Sequence, residues 1–203
     1  MPKRQYYIPH DFYNMKSDDE LTILPRFKTH QHTLESACGP NALLMAMRYL
    51  GDDELTESGL FDAVHCRTNI GTRLDDIVNF LRSRNYNLET SIDHPKDIKG
   101  LCFSTMEDFH DFVIKNLRQG YPIIVETIFF GGHYQVIIGY DQRSTEGFHE
   151  DMLILADSSD YGDGKIDGYE YCNAFKFYTM WFDDRYLPIE HRQQPYIVLK
   201  ERK

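Results

Sequence analysis

His30-Gln31-His32-Thr33-Leu34-Glu35-Ser36-Ala37-Cys38-Gly39-Pro40-Asn41 runs directly into Ala42-Leu43-Leu44-Met45-Ala46-Met47-Arg48-Tyr49-Leu50-Gly51. The first half is polar and irregular, and the second is apolar at helical spacing. Leu43, Leu44, Met47 and Leu50 stand at i, i+1, i+4 and i+7, which predicts a helix over 39–50 with a face in the core. Pro40 suits its first turn, where a missing N–H loses no partner, and Gly51 suits its stop. Cys38 therefore heads a helix, where unpaired N–H groups favour a thiolate. It is the candidate nucleophile.

The totals narrow the choices. A chain of 203 residues, rich in aromatics with 14 Tyr and 13 Phe, can bury one good core. A net charge of −10 repels nucleic acid and anionic lipid, so neither is expected as a partner. Basic peptides are favoured electrostatically. No apolar run approaches the length of a membrane span, and the basic start Met1-Pro2-Lys3-Arg4 lacks the apolar stretch of a secretory signal. Cys38, Cys66, Cys102 and Cys172 form no CxxC pair, which argues against a zinc ribbon or a disulfide framework and for a reducing, cytoplasmic setting. Away from Cys38, the cysteines read as buried structural thiols.

Outward from the helix, residues 1–20 read as an arm and 21–203 as a single domain. Leu21–Leu24 reads as a short strand and 26–37 as a loop. A second helix is expected over about 53–64. A third is opened by Thr72, with Asp75 completing a weak capping box, and a fourth is capped by Thr105 and closed by Gly120. Strands are expected at 86–92, 121–128, 134–140, 152–156 and 196–200, with a Gly/Asp-rich loop from Ser158 to Tyr171. The aromatic run Phe175–Phe182 reads as core packing. Helices first and strands afterwards predict an α+β domain with an antiparallel sheet.

A thiol nucleophile needs a base, a group that orients the base, and donors for an oxyanion. His133 begins a strongly apolar strand after Gly131-Gly132, which lets a substrate backbone come close. If strands 134–140 and 151–157 form a hairpin with Tyr140 opposite Glu150, Asp157 falls opposite His133 and can hold its ring. Asp141 is the alternative carboxylate. Gln31 is the amide donor for the oxyanion, beside the Cys38 N–H, with His32 as its rival.

These residues resemble the papain-like cysteine peptidases of the bacteriocin-leader (double-glycine leader) type, family 39 of that clan. The resemblance rests on Gln31 and Cys38-Gly39-Pro40-Asn41-Ala42-Leu43. It continues through Ile70-Gly71-Thr72, Gly120-Tyr121-Pro122-Ile123-Ile124-Val125, Gly132 to Asp141, and Leu153-Ile154-Leu155-Ala156-Asp157. It implies a papain-like fold, the nucleophile helix packed on the antiparallel sheet, and a catalytic set of Cys38, His133, Asp157 and Gln31. Two departures stand out. The family places its Gln six residues before the Cys, where this chain has His32, and often follows its Asp with Pro, where this chain has Ser158.

No metal or organic cofactor is expected. His30 and His32 alternate as chelating residues do, but no third ligand follows at a suitable spacing. The stretch from Asp157 to Gly168 invites a calcium loop, yet offers Tyr161 and Gly168 where oxygen ligands would be needed. The expected chemistry is hydrolysis of a peptide or related amide through an acyl-enzyme. The alternatives are acyl transfer to an amine or thiol by the same residues, and a non-catalytic peptide-binding module.

Overall fold

A computed structural model describes residues 10–143, 146–162, 165–183 and 187–202. The strands are β1 (Leu21–Ile23), β2 (Tyr86–Thr90), β3 (Ile123–Thr127), β4 (His133–Asp141), β5 (Met152–Ala156), β6 (Tyr169–Asn173) and β7 (Tyr196–Arg202). The helices are α1 (Cys38–Tyr49), α2 (Glu57–Ala63), α3 (Leu74–Ser83), α4 (Met106–Arg118) and α5 (Ala174–Thr179). The strands form one antiparallel sheet in the order β2-β7-β3-β4-β5-β6, with β1 pairing on β4 beyond the end of β3. The α+β expectation holds. Among the described residues no helix is long and apolar enough to cross a membrane.

Helix α1 is the centre of the packing. Residues 39–47 are all buried, so the helix is covered around its circumference along that stretch rather than along one stripe. It lies against β3 and β4, whose residues are buried without alternation, as in strands covered on both faces. Gly39 permits that approach: a Cβ there would come within 2.3 Å of Thr72 Cγ2 and 3.2 Å of Tyr134. Residues 10–20 also pack on the domain, Phe12 being buried against Tyr169 and Ser17 Oγ accepting from the Ile23 N–H at 3.0 Å. The rest of the expected arm, residues 1–9, lies outside the described residues.

Several boundaries differ from expectation. Helix α2 starts at Glu57 because Thr56 caps it, accepting from Gly59 N–H at 3.2 Å. Thr72 is not a cap: its hydroxyl donates to the Val64 carbonyl at 2.6 Å, and Arg73 holds the N-cap position of α3. Thr105 does form a capping box, with Asp108. The expected loop to Tyr171 ends early, since β6 begins at Tyr169 and pairs with β5. The aromatic run includes α5, and its Phe177 and Trp181 are buried against Phe109.

The hairpin register is also corrected. Tyr140 pairs with Leu153 rather than Glu150, a slip that by itself would turn Asp157 away from the face of His133. A bulge between Ile137 and Gly139 takes up one residue, and Val136 then pairs with Ala156. Continuing that register sets Asp157 opposite Gln135, on the same face as His133 and diagonal to it. The bulge puts back the face that the slip would lose.

Candidate active site

The elements bring three of the expected residues together. His133 Nε2 lies 2.9 and 2.8 Å from the two carboxylate oxygens of Asp157, and both residues are buried. The same His133 is hydrogen-bonded to the Cys38 thiol. With Nε2 turned to Asp157, Nδ1 is the nitrogen left for sulfur. Gly131 and Gly132, at φ +84° and +119°, shape the turn that delivers His133 to the helix end; a side chain at either would be strained.

The surroundings favour an ion pair. Burial opposes charge on Cys38, but the hydrogen bond and charge of His133 and the backbone N–H groups of Tyr134 and Gly39 hold the thiol below its ordinary range. Burial likewise opposes charge on His133, and is outweighed by Asp157 and Cys38, so its pKa is raised to about 10. Asp157 is lowered to about 2 against its own burial by His133, the Ser159 N–H and Gln135. The other three thiols behave in the opposite way. Burial pushes Cys66 and Cys172 up to about 12 and Cys102 to about 11.

The loop ahead of Cys38 is tied down at both sides. His32 N–H donates to the Ser158 carbonyl at 3.1 Å, and its ring Nδ1 lies 3.2 Å from Ser158 Oγ. Burial lowers the His32 pKa, with Glu57, His133 and Asp157 as its charged neighbours. Gln31 Nε2 makes a long contact of 3.5 Å to the Asp157 carbonyl. Both candidates for the oxyanion thus sit beside the Asp157 end of the site. Asp141 does not: it pairs with Leu21 and Met152 at the far end of β4, roughly 26 Å from His133 at the usual strand rise.

Sequence reasoning missed Glu57, which anchors this loop. Its carboxylate accepts from Thr33 N–H at 2.8 Å, Thr33 Oγ1 at 2.7 Å, Leu34 N–H at 3.0 Å and Asn41 Nδ2 at 3.0 Å. Asn41, the last residue of Cys-Gly-Pro-Asn, thereby locks the helix to the loop. Burial opposes the charge, but these donors lower the Glu57 pKa to about 2. Glu57 therefore contributes stability that is complete above about pH 4.5 and is lost as pH falls toward 2. Glu57→Ala should cost about 2–3 kcal/mol at pH 7 and flatten that acid-side loss, which urea unfolding across pH will measure.

Cys38, Ile70, Gly71, Thr72, Glu126, Gly132 and Tyr134 line a narrow cleft. Glu126 was also missed. It is 2% exposed, and accepts from the Tyr134 hydroxyl at 2.8 Å. Burial, then the nearby Asp183, raise its pKa to about 8. Its raised pKa makes stability fall as pH rises from about 4.5 to 8. Glu126→Gln should remove that fall, leaving the variant about 2 kcal/mol more stable than the parent at pH 8 by thermal or urea unfolding. A polar residue inside an apolar strand was the available signal for Glu126, as for Gln135.

Comparison with known proteins adds the family. The model of the Peptidase_C39 like family matches residues 21–187. The chain belongs to that family. Membership sets it among cysteine-peptidase-like proteins. The fold agrees: the peptidase domain of Streptococcus ComA, a bi-functional ABC transporter involved in a quorum-sensing pathway, superposes with a TM-score of 0.54 at 18% identity, covering 85% of this chain and 97% of that one. At that identity the likeness concerns the fold. No curated protein matches the chain.

Proposed function

We propose that the chain hydrolyses a peptide or related amide bond through an acyl-enzyme, with Cys38 as nucleophile, His133 as base and acid, and Asp157 holding His133. The observation that carries this is the continuous hydrogen-bonded chain from the Cys38 sulfur through His133 to Asp157, in which one thiol of the four is lowered.

The Cys38 thiolate attacks the carbonyl carbon, forming a C–S bond and an oxyanion. The N–H of Cys38, in the first helical turn, and the Gln31 amide, turned from its long 3.5 Å contact with the Asp157 carbonyl, stabilise that oxygen. Imidazolium His133 gives its proton to the leaving amine, and water then releases the acyl group with His133 as base. Free thiols throughout suit a reducing, cytoplasmic setting.

Incubation with a mixed peptide library and mass analysis tests the proposal. Cleaved peptides, and a covalent adduct of Cys38 with a peptide aldehyde, are expected; neither product nor adduct would overturn it. For the oxyanion, Gln31→Ala should lower kcat about 100-fold with KM little changed, and His32→Ala should lower it less than tenfold, in parallel progress-curve assays.

A further inference from the structure

We propose that Gln135 and Glu170 are positioning residues that act on His133 through Asp157, so that the charge of a carboxyl outside the catalytic set governs the site. This rests on the peptidase reading above.

The geometry is specific. Gln135 is 3% exposed within the apolar strand β4, and its amide nitrogen is 2.8 Å from Asp157 Oδ2 and 2.7 Å from Glu170 Oε2. An amide NH₂ has two protons, so one group serves both carboxyls. Glu170 also faces Asp157 directly, so that each carboxyl feels the other. Glu170 stands on β6 opposite Leu155, one strand beyond the hairpin that carries His133 and Asp157. Its other oxygen is confined by the loop between β5 and β6, since a Cβ on Gly162 would come within 1.4 Å of Oε1. The carboxyl is thus clamped between Gln135, Asp157 and the Gly162 backbone.

Two of the four titratable groups facing it are carboxyls. Asp157 lies at the end of β5, His133 on β4, Asp160 in the loop and Cys172 on β6. Asp160 Oδ2 already accepts from the N–H groups of Asp167 and Gly168, both at 2.6 Å. Burial, then Asp157, push the Glu170 pKa up to about 7. Below that pH protonated Glu170 donates to Asp157, and the pair carries a single negative charge. Above it the proton passes to solvent and two carboxylates face each other. The extra charge holds the imidazolium of His133 more tightly, which slows proton transfer to the leaving amine.

The test follows His133 and Glu170 by nuclear magnetic resonance, without substrate. In the parent, the His133 ring nitrogens should shift in a step near pH 7 while keeping their protons, and the Glu170 carboxyl carbon should titrate with the same midpoint. Glu170→Gln keeps a donor to Asp157 but cannot ionise, so the His133 step should vanish. In peptide hydrolysis kcat/KM of the parent should fall by about tenfold or less between pH 6 and 8 and stay flat in Glu170→Gln. Gln135→Leu should lower kcat several-fold at unchanged KM. A step that persists in Glu170→Gln, or a parent Glu170 that titrates near an ordinary carboxyl, overturns the proposal. The carboxyl titration needs no variant, and the resonances report even if no peptide is cleaved, which separates failure here from failure of the peptidase reading.

Discussion

Cys38→Ala is expected to abolish peptide hydrolysis, with a loss of about 10⁴-fold or more in kcat, while the chain stays folded. Alanine keeps the helix start, being a good helix former next to Ala37 at the N-cap, and removes only a half-buried sulfur. Helix and sheet packing should be unaffected because the buried face of α1 runs from Gly39 to Met47. Circular dichroism and substrate binding should therefore match the parent, with turnover gone. A variant that retains the biological effect of the parent would favour the binding-module reading instead. By the same reasoning, replacing Cys66, Cys102 or Cys172 with Ala should leave turnover within a few-fold, since burial keeps those thiols protonated.

Asp157→Ala should have the second largest effect, lowering kcat by about 10³-fold or more. Asp157 gives His133 its orientation and much of its raised pKa. Without the carboxylate, burial of His133 is opposed only by Cys38, so the His133 pKa falls. Thiolate and imidazolium then form less readily, and the acid limb of the kcat/KM profile moves to higher pH. The direction follows from linkage: a partner that raises the base's pKa lowers the thiol's by the same coupling. The loss should fall mainly on kcat, because Asp157 lies behind His133 and does not line the cleft. A steady-state pH series on the variant measures both the drop and the shift.

Much of this site was legible in the sequence for identifiable reasons. Helix α1 could be read because Pro40, the apolar stripe and Gly51 agree with one another. The approach of His133 to Asp157 could be read from a hairpin, although the assumed register was wrong. Strand periodicity has only two faces, so an even slip preserves the partnership, and the bulge at Ile138 makes the net slip even at the site. Nothing in the residues themselves marks that bulge.

The supporting shell was not legible. Glu57, at the first turn of α2, looks like an ordinary acidic helix start, and its role comes from a loop more than twenty residues earlier in the chain. Glu170 lies in a Gly/Asp-rich stretch that reads as loop, and its contacts depend on β6 joining the sheet beside β5. Gln135, like Glu126, could have been caught: an amide in a strand buried on both faces must find partners, and here its nitrogen finds two carboxyls.

The proposed mechanism requires Cys38 to be a thiolate at neutral pH through its contact with His133. The most direct measurement is the rate of iodoacetamide alkylation at each cysteine against pH, with the modified residue located by peptide mass. Cys38 alone should react below pH 7, faster than a model thiol, and His133→Ala should remove that reactivity. Alkylation of Cys38 no faster than a free thiol, rising only near pH 9, would contradict it.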